Sequence, residues 1–463
     1  MWITVAQFIL SLSILIVLHE LGHFSTAKWF KTRVEKFYLF FNPYFSLFKV
    51  QVGETEYGLG WLPLGGYVKI SGMIDESFDS EQMSGPPQPW EFRAKPAWQR
   101  LIIMIGGVTV NFILGILLFG VVFFVWGERY LPSSELKEGI VVTEQGYELG
   151  LRDGDKIIKV GDLDASKFSP SLVNKGLIID GAKTIEVERS GTVKTIPVDP
   201  KWAPLLSKYE NKNMRLVGLK MPAQVSNISK NSLAKAGAAG VQKDDVIIGV
   251  NDKKVDYMDQ FVSEVIGLPK DGTPETTFTI LRGQDTLSLS YTTLFDKKKT
   301  IGQRLFNRDA DKQRRLGFEL YDSEKFFNYK SEKFDMGPAL AKGWSESWGF
   351  LGDQINAFGQ MFKGNIKAKD SLGSFISIGK LFGPEWEWKR FWRMTAMLSI
   401  LLGFFNLLPI PALDGGYVMF LLFESITGIK VPDSVMEKAT MIGFFILIAF
   451  MIYALGLDIV RHM

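Results

Sequence analysis

The sequence predicts a multi-pass α-helical membrane protein of four transmembrane helices, interrupted by a large polar α+β region. Three observations carry that prediction. Four apolar blocks are each long enough to span a bilayer, a polar middle separates the second block from the third, and the middle contains an internal repeat. Overall composition hides this layout: 22% of residues are charged and 46% apolar, close to globular averages, but the apolar ones concentrate toward both ends. The net charge of +3 is small and dispersed, which points away from a nucleic-acid partner. Zero cysteines exclude disulfides and thiolate metal sites.

A membrane helix needs about 20 apolar residues at a rise of about 1.5 Å each. The first block, within residues 1–30, carries no charge before His19. It lacks the basic flank and small-residue cleavage site of a signal peptide, so it is expected to remain as a span. The second block covers 98–126 and has no ionisable residue from Leu101 to Trp126, and the fourth covers 437–459. The third, 394–427, is broken inside by Pro409, Pro411, Asp414, Gly415 and Gly416. Lys28, Lys31, Arg33 and Lys36 follow the first block, and Arg93, Lys95 and Arg100 lead into the second. By the positive-inside rule the 31–97 connection is expected to be cytoplasmic, with the polar middle and both termini outside. Lys389, Arg390 and Arg393 pull the other way, and the first helix is taken to dominate.

Within the middle, "GLRDGDKIIKVGD" (Gly150 to Asp162) aligns with "GVQKDDVIIGVND" (Gly240 to Asp252) at six of thirteen positions, 90 residues apart. Each copy reads as a small-residue turn, an acidic loop, an Ile-Ile-x-Val strand and a polar turn. The pattern resembles bacterial PDZ domains and predicts two PDZ-like α+β domains, 130–220 and 221–320. Such domains bind extended peptide by strand addition; a spacer role is the alternative. A following segment, 336–385, begins as an amphipathic helix in which Trp344, Trp348, Leu351, Ile355, Phe358 and Phe362 share one face. That face would lie either on the membrane surface or against the second repeat.

Ionisable groups inside a membrane span mark function by default. His19 and His23 are four residues apart, so one helix face presents both imidazoles, with Glu20 beside them. His-Glu-x-x-His is the zinc-hydrolase pattern: the imidazoles ligate the metal and the carboxylate handles the water proton. The only other histidine, His462, lies at the far C-terminus. A catalytic zinc takes three protein ligands and keeps one position open. Asp414 is the intramembrane carboxylate that fits as the third, because a lone carboxylate in hydrocarbon needs a cation. Pro409 and Pro411 preclude a regular helix there, and Gly415-Gly416 permits close backbone approach.

These motifs together resemble the site-2 proteases, a family of intramembrane zinc metalloproteases. The resemblance is carried by His19-Glu20-Leu21-Gly22-His23, by "NLLPIPALDGG" (Asn406 to Gly416), and by Gly107 and Asn111 as a Gly-x-x-x-Asn element. The tandem repeats point to the regulator-of-sigma-E subtype, and "GLGWLPLGGYVKISG" (Gly58 to Gly72) is similar to its membrane-reentrant β segment, expected here as a membrane-associated hairpin. One departure is Ser374-Phe375, where the subtype usually has Gly-Pro. The resemblance implies a bacterial inner-membrane enzyme that cleaves single-pass substrates such as anti-sigma factors, with the PDZ-like pair contacting a peptide or ectodomain outside. His19, His23 and Asp414 would hold Zn2+ and Glu20 would act as base. Asn111 or Asn406 could stabilise the oxyanion or hold the substrate backbone, and a substrate strand could add at Gly65, Gly66 and Tyr67. The rival readings are a PDZ-containing membrane scaffold or sensor with a structural metal, and a metal transporter.

Overall fold

The computed structural model describes residues 2–63, 65–73, 85–211, 214–228, 236–268, 275–293 and 316–462. The chain divides into two compact units.

The first unit comprises 1–127, 333–352 and 373–461. Among the described residues it holds three helices long and apolar enough to cross a membrane: α1 (Trp2–Trp29), α2 (Ala97–Trp126) and, to Val460, the last described helix. The other helices used below are α3 (Met336–Phe362), α4 (Phe375–Lys380), α5 (Trp388–Leu407), α6 (Asp414–Thr427) and α7 (Asp433–His462). The third apolar block is therefore two helices, α5 and α6, with the two prolines in the break between them.

Helix α1 is inside out. Its buried positions, Thr4, Gln7, Ser11, Leu15, His19, Gly22, His23 and Ala27, recur every three or four residues and are mostly polar, while Ile3, Ile9, Leu10 and Leu21 are exposed. In a bilayer that arrangement is favourable, because lipid solvates the apolar face and the protein must satisfy the polar one. Thr4 Oγ1 donates to the Gly383 carbonyl at 2.8 Å, Gln7 Nε2 to the Glu385 carbonyl at 3.2 Å, and Thr395 Oγ1 to Ser11 Oγ at 2.9 Å. Helices α1 and α2 touch backbone to backbone: a Cβ on Gly22 would lie 2.5 Å from the Gly106 carbonyl oxygen.

Between α1 and α2 lies a four-stranded sheet, larger than the hairpin expected. Strands β1 (Val34–Leu39), β2 (Phe48–Val52), β3 (Thr55–Leu59) and β4 (Tyr67–Ile70) are ordered β2-β3-β1-β4. β1 runs parallel to β3, and β4 is an edge strand. The alternation in Val34–Leu39 is weak, with two charged residues in six, which concealed β1 as the sheet's centre. Phe48, Val50 and Val52 of β2 are exposed together with Phe45 and Leu47, an apolar surface suited to lipid.

The N-terminal half of α3 packs on α2, where a Cβ on Gly343 would meet Gly120 N at 2.5 Å and Trp348 stacks on Phe112. Ser374, at the departure from the subtype pattern, caps α4. Asp458 of α7 accepts hydrogen bonds from the Ser374 and Ser377 amides and hydroxyls. The Ser374 hydroxyl gives the buried Asp458 carboxylate one donor that a glycine at this position would lack.

The second unit comprises 128–332 and 353–372. It has two hydrophobic cores, one built from residues between Leu131 and Leu219 and one from residues between Ala223 and Phe318. Each contains an antiparallel meander: β5 (Lys156–Val160), β6 (Thr184–Arg189) and β7 (Thr192–Pro197) in the first, β9 (Val246–Val250), β10 (Glu275–Arg282) and β11 (Asp285–Thr292) in the second, where β8 (Ala223–Ile228) extends the sheet.

The repeat extends to individual hydrogen bonds. Arg189 Nε and Nη2 each donate at 2.7 Å to the buried Asp155 carboxylate, and Nη2 also reaches the Gly150 carbonyl. Arg282 does the same to Asp245 at 2.8 Å and to the Gly240 carbonyl. Asp155 is wholly buried. Arg189→Ala is therefore expected to destabilise this unit by about 3–5 kcal/mol, the range for stranding a buried charge. Limited proteolysis should show faster cutting within 128–332, and unchanged resistance would refute the pairing's structural role.

Candidate metal centre

His19 and His23 point from α1 toward Asp414, the first residue of α6. The His19 Nε2 to His23 Nε2 distance is 3.2 Å, and Asp414 Oδ2 lies 3.3 Å from the former and 3.4 Å from the latter. Tetrahedral zinc with bonds of about 2.0–2.1 Å to nitrogen and oxygen has ligand atoms about 3.3–3.4 Å apart. The three donors thus form one face of such a tetrahedron. Asp414 Oδ2 is buried without a hydrogen bond, an orphan that a cation would satisfy. The donor set fits zinc.

Local sequence builds this triangle. The turn before Asp414 folds back on itself: a Cβ on Gly415 would meet the Leu408 carbonyl oxygen at 2.1 Å, and one on Gly416 the Ile410 carbonyl oxygen at 2.7 Å. Ala412 holds φ at 80°, a left-handed conformation that costs an alanine roughly 1–2 kcal/mol. Gly443 of α7 abuts the Pro411 carbonyl. On the opposite side, a Cβ on Gly107 would sit 2.4 Å from His23 Nε2 and 2.7 Å from His19 Cε1. Gly107→Ala is expected to displace both rings and lower zinc stoichiometry, measured by metal analysis of the purified protein; full occupancy would contradict this packing argument.

His23 Nδ1 is 2.9 Å from the Ile103 carbonyl of α2, which can only accept. The ring proton therefore sits on Nδ1 and the Nε2 lone pair faces the triangle. Nothing in the sequence marks a backbone carbonyl for this task. Glu20 lies within electrostatic range of His19, His23 and Asp414, and its carboxylate accepts the backbone N–H of Val68 on edge strand β4. Gly66 packs beside it: a Cβ there would meet Ile16 Cγ2 at 2.6 Å and Glu20 Cγ at 3.5 Å. Gly65 lies against the Phe41 ring. Tyr67 is turned to the sheet, stacked on Tyr38 and bonded through its hydroxyl to Asn42 Oδ1.

The two asparagines left open by the sequence occupy different places. Asn406, half-buried, has its Nδ2 3.4 Å from His19 Nε2, on the triangle's side of the ring. Asn111 is wholly buried, with Nδ2 2.9 Å from His19 Nδ1, on the far side of that ring. The side chain of His462 is outside what the structure describes.

The family model for peptidase family M50 matches residues 7–450. The chain belongs to peptidase family M50. Similar proteins include the "Regulator of sigma E protease" of Salmonella typhi, 30% identical with 98% of each chain covered. The "Regulator of sigma-E protease RseP" of Escherichia coli K12 is 29% identical, again over 98% of each. A Vibrio cholerae relative carrying a zinc-metalloprotease name is 28% identical over the same shares. This M50 member is a zinc metalloprotease of the intramembrane, site-2 type, as its membrane-length helices and the His19–His23–Asp414 grouping accord with.

Proposed function

We propose that this M50 protease cuts the transmembrane segment of single-pass membrane proteins of the anti-sigma-factor type, with zinc held by His19, His23 and Asp414. The observation that carries the ligand assignment is the triangle of donor atoms, 3.2–3.4 Å on a side, two of whose corners stand on a membrane-length helix. The substrate class follows the names of the sigma-E relatives. Zinc bound there supplies Lewis acidity to the attacking water and the scissile carbonyl. Glu20 takes the water's proton and returns it to the leaving amine. Asn406 donates its amide to the developing oxyanion, since it borders the triangle whereas Asn111 lies behind His19.

A helical substrate hides its peptide bonds and must be extended before attack. The open edge of β4 offers it a strand partner, and Val68 on that edge already reaches Glu20, so the extended segment would lie beside the base. Gly65 and Gly66 let the chain entering β4 pack closely against Phe41, Ile16 and Glu20, which brings that edge up to the base. The third block, α5 with α6, supplies the fourth crossing. Following the basic residues around α1 and α2, the sheet is cytoplasmic and the 128–332 region lies outside, in the inner membrane of a bacterium. There its PDZ-like pair acts as a gate against substrates with bulky ectodomains.

Reconstitution with a single-pass substrate, intact or trimmed outside, tests the reading. Cleavage of the trimmed form, blocked by a zinc chelator and restored by zinc, is expected. A topology reporter in the Lys36–Arg93 connection should read cytoplasmic, and an external signal would overturn the orientation.

A further inference from the structure

We propose that Asn111 is a positioning residue for His19, whose Nδ1–H its side-chain oxygen accepts; the inference rests on the zinc reading above. His19 turns Nε2 toward Asp414 and His23, so as a metal ligand it carries its proton on Nδ1. Among the described residues, the side chain at hydrogen-bond distance from that nitrogen is Asn111, at 2.9 Å. As placed, the amide presents Nδ2 there, a donor facing a donor. Oδ1, the other end of the amide, is buried and has no hydrogen-bond partner, so no bond to it holds the amide in that orientation. A half-turn about the terminal torsion exchanges two atoms of nearly equal size and places Oδ1 on the His19 proton.

The two histidines then follow one scheme. His23 Nδ1–H is held by the Ile103 carbonyl and His19 Nδ1–H by Asn111, eight residues further along the same helix. Asn111 is itself braced: Ser399 Oγ of α5 donates to its backbone carbonyl at 2.7 Å, and Gly403 leaves room against its Cβ. Its complete burial separates this role from substrate binding, which needs an accessible amide. An acceptor on the remote imidazole nitrogen fixes the ring's tautomer and direction and raises its basicity, and loss of such a partner typically weakens metal binding 10–100-fold, that is about 10–100-fold here.

The test compares zinc retention by the full-length protein in detergent against a graded chelator. Asn111→Leu removes the acceptor at similar volume, Asn111→Ala removes it without adding bulk, and Asn111→Asp keeps an acceptor. Circular dichroism and gel filtration of the zinc-free proteins serve as the fold control. Expected is weaker zinc binding by about 10–100-fold in the folded variants lacking the acceptor, with Asn111→Asp close to the wild type. A 15N-labelled wild type should show the His19 proton on Nδ1. Wild-type zinc affinity in Asn111→Leu or Asn111→Ala overturns the proposal, and a raised KM at unchanged affinity would reassign Asn111 to substrate. Equal loss in Asn111→Asp also overturns it. A wild type that binds no zinc at all would bring down the metal reading and this proposal together.

Discussion

Glu20→Gln is expected to abolish substrate cleavage while leaving one zinc per chain. The amide is nearly the same size as the carboxylate, so the helix face that carries His19 and His23 should be undisturbed. What disappears is the ability to take a proton from water and return it to the leaving amine. Positioned acid–base groups contribute about 10²–10⁴ in rate, and the loss of kcat should fall in or above that range. Glu20 is outside the set of three donors that fit a metal, so zinc content should not follow activity. Single-turnover cleavage in detergent, with metal analysis on the same sample, makes the measurement. Wild-type cleavage would remove Glu20 from the chemistry, and loss of zinc would make it a ligand or a support of one.

Asp414→Ala is expected to strip the metal itself. Two imidazoles alone leave a zinc site with two of its three protein ligands and without its only anionic one. The loss of zinc affinity should exceed the about 10–100-fold attached to a supporting hydrogen-bond partner. Asp414→Asn separates charge from shape: it preserves a side-chain oxygen at the start of α6 and should still bind zinc far more weakly than the wild type. Equilibrium zinc binding against a competing chelator reads both variants. Retention of zinc by Asp414→Ala at wild-type affinity would mean that another residue closes the triangle.

The residues of the candidate metal site, which the fold brings together, were conspicuous in the sequence because membrane burial makes each ionisable side chain stand out. Two histidines four apart and an aspartate behind two prolines need no alignment to be noticed. Quieter groups escaped. Thr4, Gln7 and Ser11 continue the histidine face at steps of three and four, a polar periodicity visible in the sequence once apolar faces are assigned to lipid. Ile103 works through a carbonyl, which no residue type announces. Arg189 and Arg282 lie beyond the aligned repeat, since the loops between Asp and Arg differ by three residues in length. Strand β1 has too little alternation to declare itself, yet it forms the centre of the sheet. Asn111 and Asn406 are chemically identical in the sequence, and only their opposite sides of one imidazole distinguish them.

The inside-out character of α1 has a consequence for how the enzyme comes into being. Its buried polar face is answered by Thr395, Gly383 and Glu385, and the metal triangle by Asp414, all made more than 350 residues later. While the ribosome is still extending the chain, α1 sits in the membrane with its glutamine, serine and histidines unanswered. A ligand set with a member not yet synthesised cannot hold a catalytic metal. If that set holds the metal, peptide hydrolysis waits until the chain has been made through Asp414, and the order of synthesis keeps an incomplete protease from acting on other membrane helices.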